Sequence, residues 1–510
     1  MPPDFEWVLV GDTPASGDSG YRNGNSLAFD AEGHCYVTGT FIDAIRFGST
    51  NVPGGYAHII FTAKLTPTGG VEWVRTAGGP GAIGTSVAVD LQGNCYVTGQ
   101  YEGGARFGTR TLPWWGRADA FVAKYTGAGE VAWVSAAGGP GSDAGSSIAV
   151  DKQGNCYVAG HFEGTAIFGA EALIAPGSRD VFLAKYGPDG ALLWLRQAHG
   201  SISASQSRVA VDGQGDCYIA GTFQGTATFG TNTLSSAGRS EDVYVARFSP
   251  DGEAQWAVRA GGVGSDYGNG IAVNEQGDIY VTGHFSGSAD FLGTRLTSAG
   301  VEDVFVLRLS RAGEFRWVRQ AGGVGDDWGG GIALDSRGDC YVIGGFQSIA
   351  TFGATSLQSS GGVDVFLAKY SAEGVPLGVQ KGGGPSNDYG FGVALDTNGR
   401  VGITGGFYSE TAVFGTNVLA SPNAGEAIFV ATLRSSCLYF NPVSISLSND
   451  LFHVQLNGLP GGVPVVIQAS TDLSHWEDVG TNTPPAGALD VADPVSSSQP
   501  MRFYRARLGP

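Results

Sequence analysis

The chain has 510 residues, 84 of them glycine and 42 % hydrophobic, with 29 basic against 47 acidic residues and a formal net charge of −18. Such a charge opposes phosphate backbones and anionic lipid surfaces, so nucleic acid is not an expected partner. No apolar stretch approaches the roughly 20 residues of a membrane helix, so no membrane insertion is expected; Met1 to Val10 also lacks the basic start and apolar core of a signal peptide.

In chain order, Glu6-Trp7-Val8 comes first and stands alone. A strand ending in glycine then recurs: Cys35 to Gly39, Cys95 to Gly99, Cys156 to Gly160, Cys217 to Gly221, Ile279 to Gly283, Cys340 to Gly344 and Val401 to Gly405, at a spacing of 60 to 62 residues. A period of that size, made of short strands and glycine turns, points to a propeller or solenoid, because one repeat cannot bury its own apolar faces.

The second repeat is the clearest. Ser86 to Val89 is an apolar strand, and Asp90-Leu91-Gln92-Gly93 is a hairpin turn in which Asp bonds the following backbone and Gly supplies positive φ. Asn94 to Tyr101 returns, an excursion through Ala105-Arg106-Phe107-Gly108 follows, Asp119 to Tyr125 is a third strand, and Val131 to Val134 a fourth. The inner strands are apolar on both faces, which fits sheets sandwiched between neighbouring sheets. Five cysteines, Cys35, Cys95, Cys156, Cys217 and Cys340, share one repeat position, too far apart for disulfides, and are expected to be buried free thiols. Cys437 stands apart.

Fourth-strand tryptophans occur at Trp73, Trp133, Trp194, Trp256 and Trp317; Gly378 takes that place in the sixth repeat, and the seventh has no such strand after Phe429 to Leu433. Glu6-Trp7-Val8 matches Glu72-Trp73-Val74. The expectation is therefore that Glu6, Trp7 and Val8 pair with Phe429, Val430 and Leu433, closing the ring and removing an exposed edge. Exchange of that strand with a neighbouring copy would instead give oligomers or filaments.

Together, Asp-x-Phe-Val-Ala-Lys-Tyr, the Pro-Asp-Gly-type turn, Trp, Gly-Gly-x-Gly-x-Asp-x-Gly, Ile-Ala-Val-Asp and Tyr-Val-Thr-Gly resemble the bacterial seven-bladed β-propeller repeat family, over about Phe5 to Leu433. The resemblance implies four-stranded blades, a secreted or cell-surface setting, and no common catalytic residues. The expected fold is all-β: a seven-bladed propeller over 1–437 and a small immunoglobulin- or fibronectin-like β-sandwich over 438–510. In the second part, Val443 to Leu447, Leu451 to Leu456, Val465 to Ala469 and Phe503 to Ala506 read as strands; Asn457-Gly458 and Pro460-Gly461-Gly462 read as turns. Val466 to Trp476 and Arg502 to Arg505 are similar to C-terminal modules of bacterial exported proteins.

Candidate sites lie in the crossings between repeats. Asp143, Asp266, Asp327 and Asp388 share a rim with Asp119, Asp180, Asp242, Asp303 and Asp364, and two carboxylates per repeat offer oxygen ligands for calcium. The plainer expectation is that they accept N–H bonds from the glycine-rich crossings; no other cofactor is implied. Tyr267, Trp328 and Tyr389, with Tyr21, form an aromatic arc suited to stacking on sugars or gripping a partner's side chains, and Trp114-Trp115 mark an exposed contact patch. No catalytic set emerges. Gly17-Asp18-Ser19-Gly20 lacks a protease fold and a placed histidine, and the inner strands read as mostly Ile, Ala, Val and Leu, which leaves a channel active site without polar groups.

The leading expectation is a non-enzymatic extracellular scaffold for protein contacts or self-association, with a lectin-like carbohydrate binder and a hydrolase or lyase with a channel site as alternatives.

Overall fold

The computed structural model describes residues 6–12, 22–434 apart from 56, 176–178, 239, 416 and 421–425, and strands within 442–508; side chains of 201–206, 434 and 442–508 lie outside that description. Among the described residues the chain is all-β, without a helix.

Each repeat forms a four-stranded antiparallel unit. In the second repeat the order is Ile83–Val89, Cys95–Tyr101, Asp119–Tyr125, Val131–Gly138, each paired with the next. In the last repeat the third strand, Ala427–Arg434, takes its fourth partner from the start of the chain. Trp7 stands opposite Thr432, Val8 opposite Ala431 and Val10 opposite Phe429, Glu6 N–H donates to Thr432 O at 2.7 Å, and the Glu6 carboxylate meets Arg400 at 2.7 Å. The innermost strands touch in a circuit: Arg22–Phe29, Ile83–Val89, Ala144–Val150, the end of Leu192–Val211, Asp266–Val273, Trp328–Leu334, Asp388–Leu395, and Arg22–Phe29 again.

The cores lie between units. Tyr36, Ile60 and Trp73 of the first repeat pack with Cys95, Val97 and Phe121 of the second, and Leu27, Val37 and Phe61 of the first pack with Ile428 and Val430 of the last. This is why the strands are apolar on both faces. The five repeat cysteines are buried free thiols, whose pKa burial drives up; Cys437 lies outside the described residues.

Two devices join neighbouring units at the end carrying the hairpin turns. Each fourth-strand indole N–H donates to the turn between third and fourth strands one unit on: Trp73 to Gly127 O at 3.0 Å, Trp133 to Pro188 O at 2.9 Å, Trp317 to Ala372 O at 2.8 Å. Trp7 makes the same bond to Pro67 O at 2.9 Å. The turn glycine seats the indole: at Gly129, φ +80°, a Cβ would fall 2.9 Å from the Trp73 ring. Gly378 departs from the pattern in the unit that precedes the one whose third and fourth strands come from opposite ends of the chain. The second device is the tyrosine of strand two, whose hydroxyl donates to the next unit's turn, as Tyr96 does to Gly154 O at 3.0 Å.

At the other end, the excursion forms a hairpin that pairs with the fourth strand of the preceding unit, Phe107 opposite Ala77 and Arg106 opposite Gly78. Its phenylalanine packs on the third strand, with Phe107 4.9 Å from Phe121 and Phe414 4.7 Å from Phe429.

Beyond the repeats, Pro442–Ser448, Leu451–Leu459 and Gly487–Pro494 form one three-stranded sheet; Glu477–Asn482, Val465–Ser470 and Phe503–Leu508 form another. The turn expected at Asn457-Gly458 is instead a register shift within a strand, between Asn457 and Leu459. A glycine admits a β-bulge without breaking the ladder. The second expected turn, Pro460-Gly461-Gly462, falls outside the described residues.

Candidate functional site

At the hairpin-turn end the aspartates are heavily bonded, with Asp396 Oδ2 the exception, buried without a hydrogen bond and 3.8 Å from Arg400. Asp90 accepts from Gln92 N–H at 3.0 Å, Asn94 N–H at 2.8 Å and the Tyr96 hydroxyl at 3.1 Å, and Lys124 lies 3.6 Å away. Asp30, Asp151, Asp212, Asp335 and Asp396 repeat the turn-capping bond. Asp30, Glu32 and His34 are the one cluster with metal-ligating spacing among the described residues, but Asp30 already serves its turn and the Tyr36 hydroxyl.

The crossing end differs. Asp143 accepts from Gly139 N–H at 2.7 Å and Glu163 N–H at 3.0 Å; Asp327 from Gly323 N–H at 2.7 Å and Gln347 N–H at 3.0 Å; Asp388 from Gly384 N–H at 2.6 Å and Tyr408 N–H at 3.1 Å; Asp266 from Gly262 N–H at 2.7 Å. The donors at Gly139, Gly262, Gly323 and Gly384 are crossing N–H groups, while those of Glu163 and Tyr408 come from just past the second strand of the next unit and that of Gln347 from within it. Each carboxyl faces the aspartate at the start of its unit's preceding third strand. Around Gly322, φ +148°, a Cβ would lie 2.8 Å from Asp303 Oδ1 and 2.9 Å from Asp327 Oδ2. Asp119, Asp242, Asp303 and Asp364 each keep one buried oxygen without a partner. Burial, then the facing carboxylate, pushes Asp143 and Asp266 up to about 7 and Asp327 and Asp388 up to about 6, against the opposing pull of the backbone N–H bonds. A ring of N–H donors favours an anion or a shared proton over the oxygen cage of a calcium ion.

Aromatic side chains stand at this same end. Trp328 lies 5.9 Å from Tyr389, which stacks on Phe391 at 6.1 Å and meets the Tyr408 ring edge-on at 5.8 Å. Tyr267 stacks on His284 at 4.7 Å, with Glu302 3.5 Å from the imidazole. Burial lowers the His284 pKa to about 4. Sequence placed Tyr267, Trp328 and Tyr389 in one arc; the structure joins Trp328 to Tyr389, adds Tyr408 and Phe391, and gives Tyr267 a different partner. Tyr21 lies outside the described residues. Trp114 and Trp115 are 51 % and 41 % exposed, and Val263, Val301 and Val324 at the same end are 81 %, 61 % and 71 % exposed.

Between the innermost strands runs a channel with a cavity of about 120 Å³, lined by Asn25, Ser26, Thr85, Ser86, Arg208 and Asn269 among others. This corrects the apolar channel read from sequence. The inner strands carry bulges, such as the register shift between Gly24 and Ser26, and at Asn25, Thr85, Ser146 and Asn269 the extra residue brings a polar side chain to the lining, whereas Gly330 and Phe391 take that place in the last two. Asn25 bonds Gly84 O at 2.8 Å, Thr85 bonds Gly145 O at 2.7 Å, and Asn269 bonds Gly329 O at 2.9 Å, each one unit on. The lining holds no carboxylate, imidazole or thiol, so the nucleophile–base pair of a hydrolase is not among its residues.

No family model matches the chain. It is similar to an uncharacterized WD repeat-containing protein of Acanthamoeba polyphaga mimivirus, 24 % identical over 442 residues, which is 68 % of this chain and 31 % of that protein. A shorter similarity joins it to the regulatory protein FlaEY of Caulobacter vibrioides, 31 % identical over 110 residues, 21 % of this chain and 12 % of the relative. The chain thus spans under a third of the length of either. Among solved structures, the exotype rhamnogalacturonan lyase YesX aligns over 91 % of this chain and 75 % of its own at 11 % identity and a TM-score of 0.26. A Bacillus licheniformis rhamnogalacturonan lyase aligns over 87 % and 89 % at 11 % identity and a TM-score of 0.23.

Proposed function

We propose that the repeats are the blades of a seven-bladed β-propeller, and that the molecule is a protein-docking scaffold that seats its partner on the crossing end. The relative that carries WD repeats in its name supports a repeat scaffold. One observation carries the choice of face: large apolar and aromatic side chains left 39 % to 81 % exposed, including Trp114, Trp115, Val263, Val324 and Tyr408, gather there. Exposed apolar groups in such numbers mark contact surfaces, and aromatic rings are the usual anchors. Glu241 and Glu302 beside Tyr267 favour a partner segment with basic as well as apolar side chains.

A displayed library of random peptides is the direct test. Enrichment of basic and aromatic sequences, lost when Trp328→Ala and Tyr408→Ala are introduced together, is the expected outcome. Enrichment that survives both substitutions, or no enrichment, would remove this face as the docking site.

A further inference from the structure

Arg208 is the one ionisable side chain in the channel lining. It occupies the repeat position held by Ser26, Ser86 and Ser147 on one side of the circuit and by Gly270, Gly331 and Gly392 on the other. Its guanidinium bridges two neighbouring bulges, Nε donating to Asn269 O at 2.9 Å and Nη1 to Ser146 O at 3.1 Å. Among the described residues no carboxylate lies within ion-pair distance of it, and Nη2 has no hydrogen-bond partner. Burial alone pulls its pKa below the ordinary value, with no neighbouring charge contributing.

An uncompensated cation inside a protein is costly, and carbonyl bonds satisfy only part of a five-donor fork. The three glycines opposite let the inner strands pack closely, a Cβ on Gly331 falling 2.8 Å from Phe391 O, and they put no side chain of their own against the guanidinium. We propose that the channel is an oxyanion socket, in which the free edge of Arg208, with the seryl hydroxyls around it, binds a small phosphate, sulfate or carboxylate group in the cavity of about 120 Å³. The planar fork of arginine suits these groups, and a water-poor wall strengthens the pairing. The net charge of −18 does not forbid it. Long-range repulsion from the rims is screened over roughly 8–10 Å at physiological salt, while the socket acts by contact.

This inference is independent of the docking face, and its test leaves that face intact. Thermal unfolding of the whole chain is followed while phosphate, sulfate or acetate replaces chloride at fixed ionic strength, for the wild type and Arg208→Gln. The expected result is a saturable rise in midpoint of several degrees at millimolar anion in the wild type and its loss in the variant. Phosphate and sulfate acting alone would assign the socket to inorganic anions, and acetate matching them to carboxylates. Sulfate and phosphate also stabilise proteins generally through exclusion from the surface, so an equal rise in both proteins, or none, overturns the proposal. Should Arg208→Gln fail to fold, wild-type crystals soaked in selenate decide: an anomalous peak against the guanidinium supports the socket, and a channel without one sinks it.

Discussion

The two ends of the repeat body use the same residue type in opposite ways. At the hairpin-turn end, Asp90 has four donors and a lysine, and the neighbouring Trp and Tyr reach across to the next unit. At the crossing end, Asp119 and Asp143 face each other, and Asp119 Oδ1 is buried without a partner. Ionised aspartate is a stabilising group where donors outnumber it and a burden where it meets its own kind. The difference separates an end built for cohesion from one that keeps polar capacity and apolar surface in reserve.

The largest expected effect tests the cohesive end at its junction. Trp7→Ala removes the indole from its seat against Gly69 and its bond to Pro67 O. It should lower the unfolding free energy by about 3 kcal/mol, read by urea titration; an unchanged midpoint would show that the junction holds without its tryptophan. Asp90→Ala should cost about 2 to 3 kcal/mol in the same assay, because it leaves the turn N–H groups without their acceptor and Lys124 with its bond to Pro188 O as its remaining hydrogen bond. A loss below 0.5 kcal/mol on that scale would mean the turn aspartates are ornamental.

Acidity should act the other way at the crossing end. Asp143 and Asp266 stand near 7 and Asp327 and Asp388 near 6, above the unfolded value of about 3.9. Their stabilising share is therefore complete below about pH 4 and is lost as pH rises through 6 to 7. His284, lowered to about 4, opposes them as pH falls. The contrast is cleanest between the wild type and a variant with all four changed to Asn: the wild type should gain on the variant in melting temperature from pH 8 to pH 5. Parallel curves would show that the paired carboxyls do not share protons. The smallest effect is Asp143→Asn alone, which keeps an acceptor for one of the Gly139 and Glu163 N–H groups and gives up the other, while removing the charge that faces Asp119. At pH 8 it should be neutral or stabilising by up to about 1 kcal/mol, the reverse of Asp90→Ala.

Much of this was legible in the sequence because it rests on local chemistry repeated many times. The Asp-x-x-Gly turns, the Tyr-Val-Thr-Gly strands and the likeness of Glu6-Trp7-Val8 to Glu72-Trp73-Val74 each report a partner by residue type. The channel was misread because a single bulge at Gly24 to Ser26 reverses the facing of every side chain past it, which alternation cannot reveal. The excursion hairpins read as loops, since Arg106 and Phe107 find their partners on another repeat. Glu477–Asn482 and Gly487–Pro494 went unnoticed because glycine, asparagine and aspartate are poor strand formers taken singly. For the aromatic arc, spacing gave Trp328 beside Tyr389, while Tyr408 comes from a different strand end and carried no periodic signal.

The clasp of the first strand also imposes a wait. Glu6 and Arg400 are 394 residues apart in the chain, yet bond directly. At the usual pace of translation, roughly 20 to 80 s separate the appearance of one from the other. Through that interval the opening strand has no sheet to join and its indole no cover, so a ribosome must hold an unpaired edge until almost the whole body has emerged. Stability at the end is thus bought with a long exposure at the beginning, when a second nascent chain is the nearest substitute.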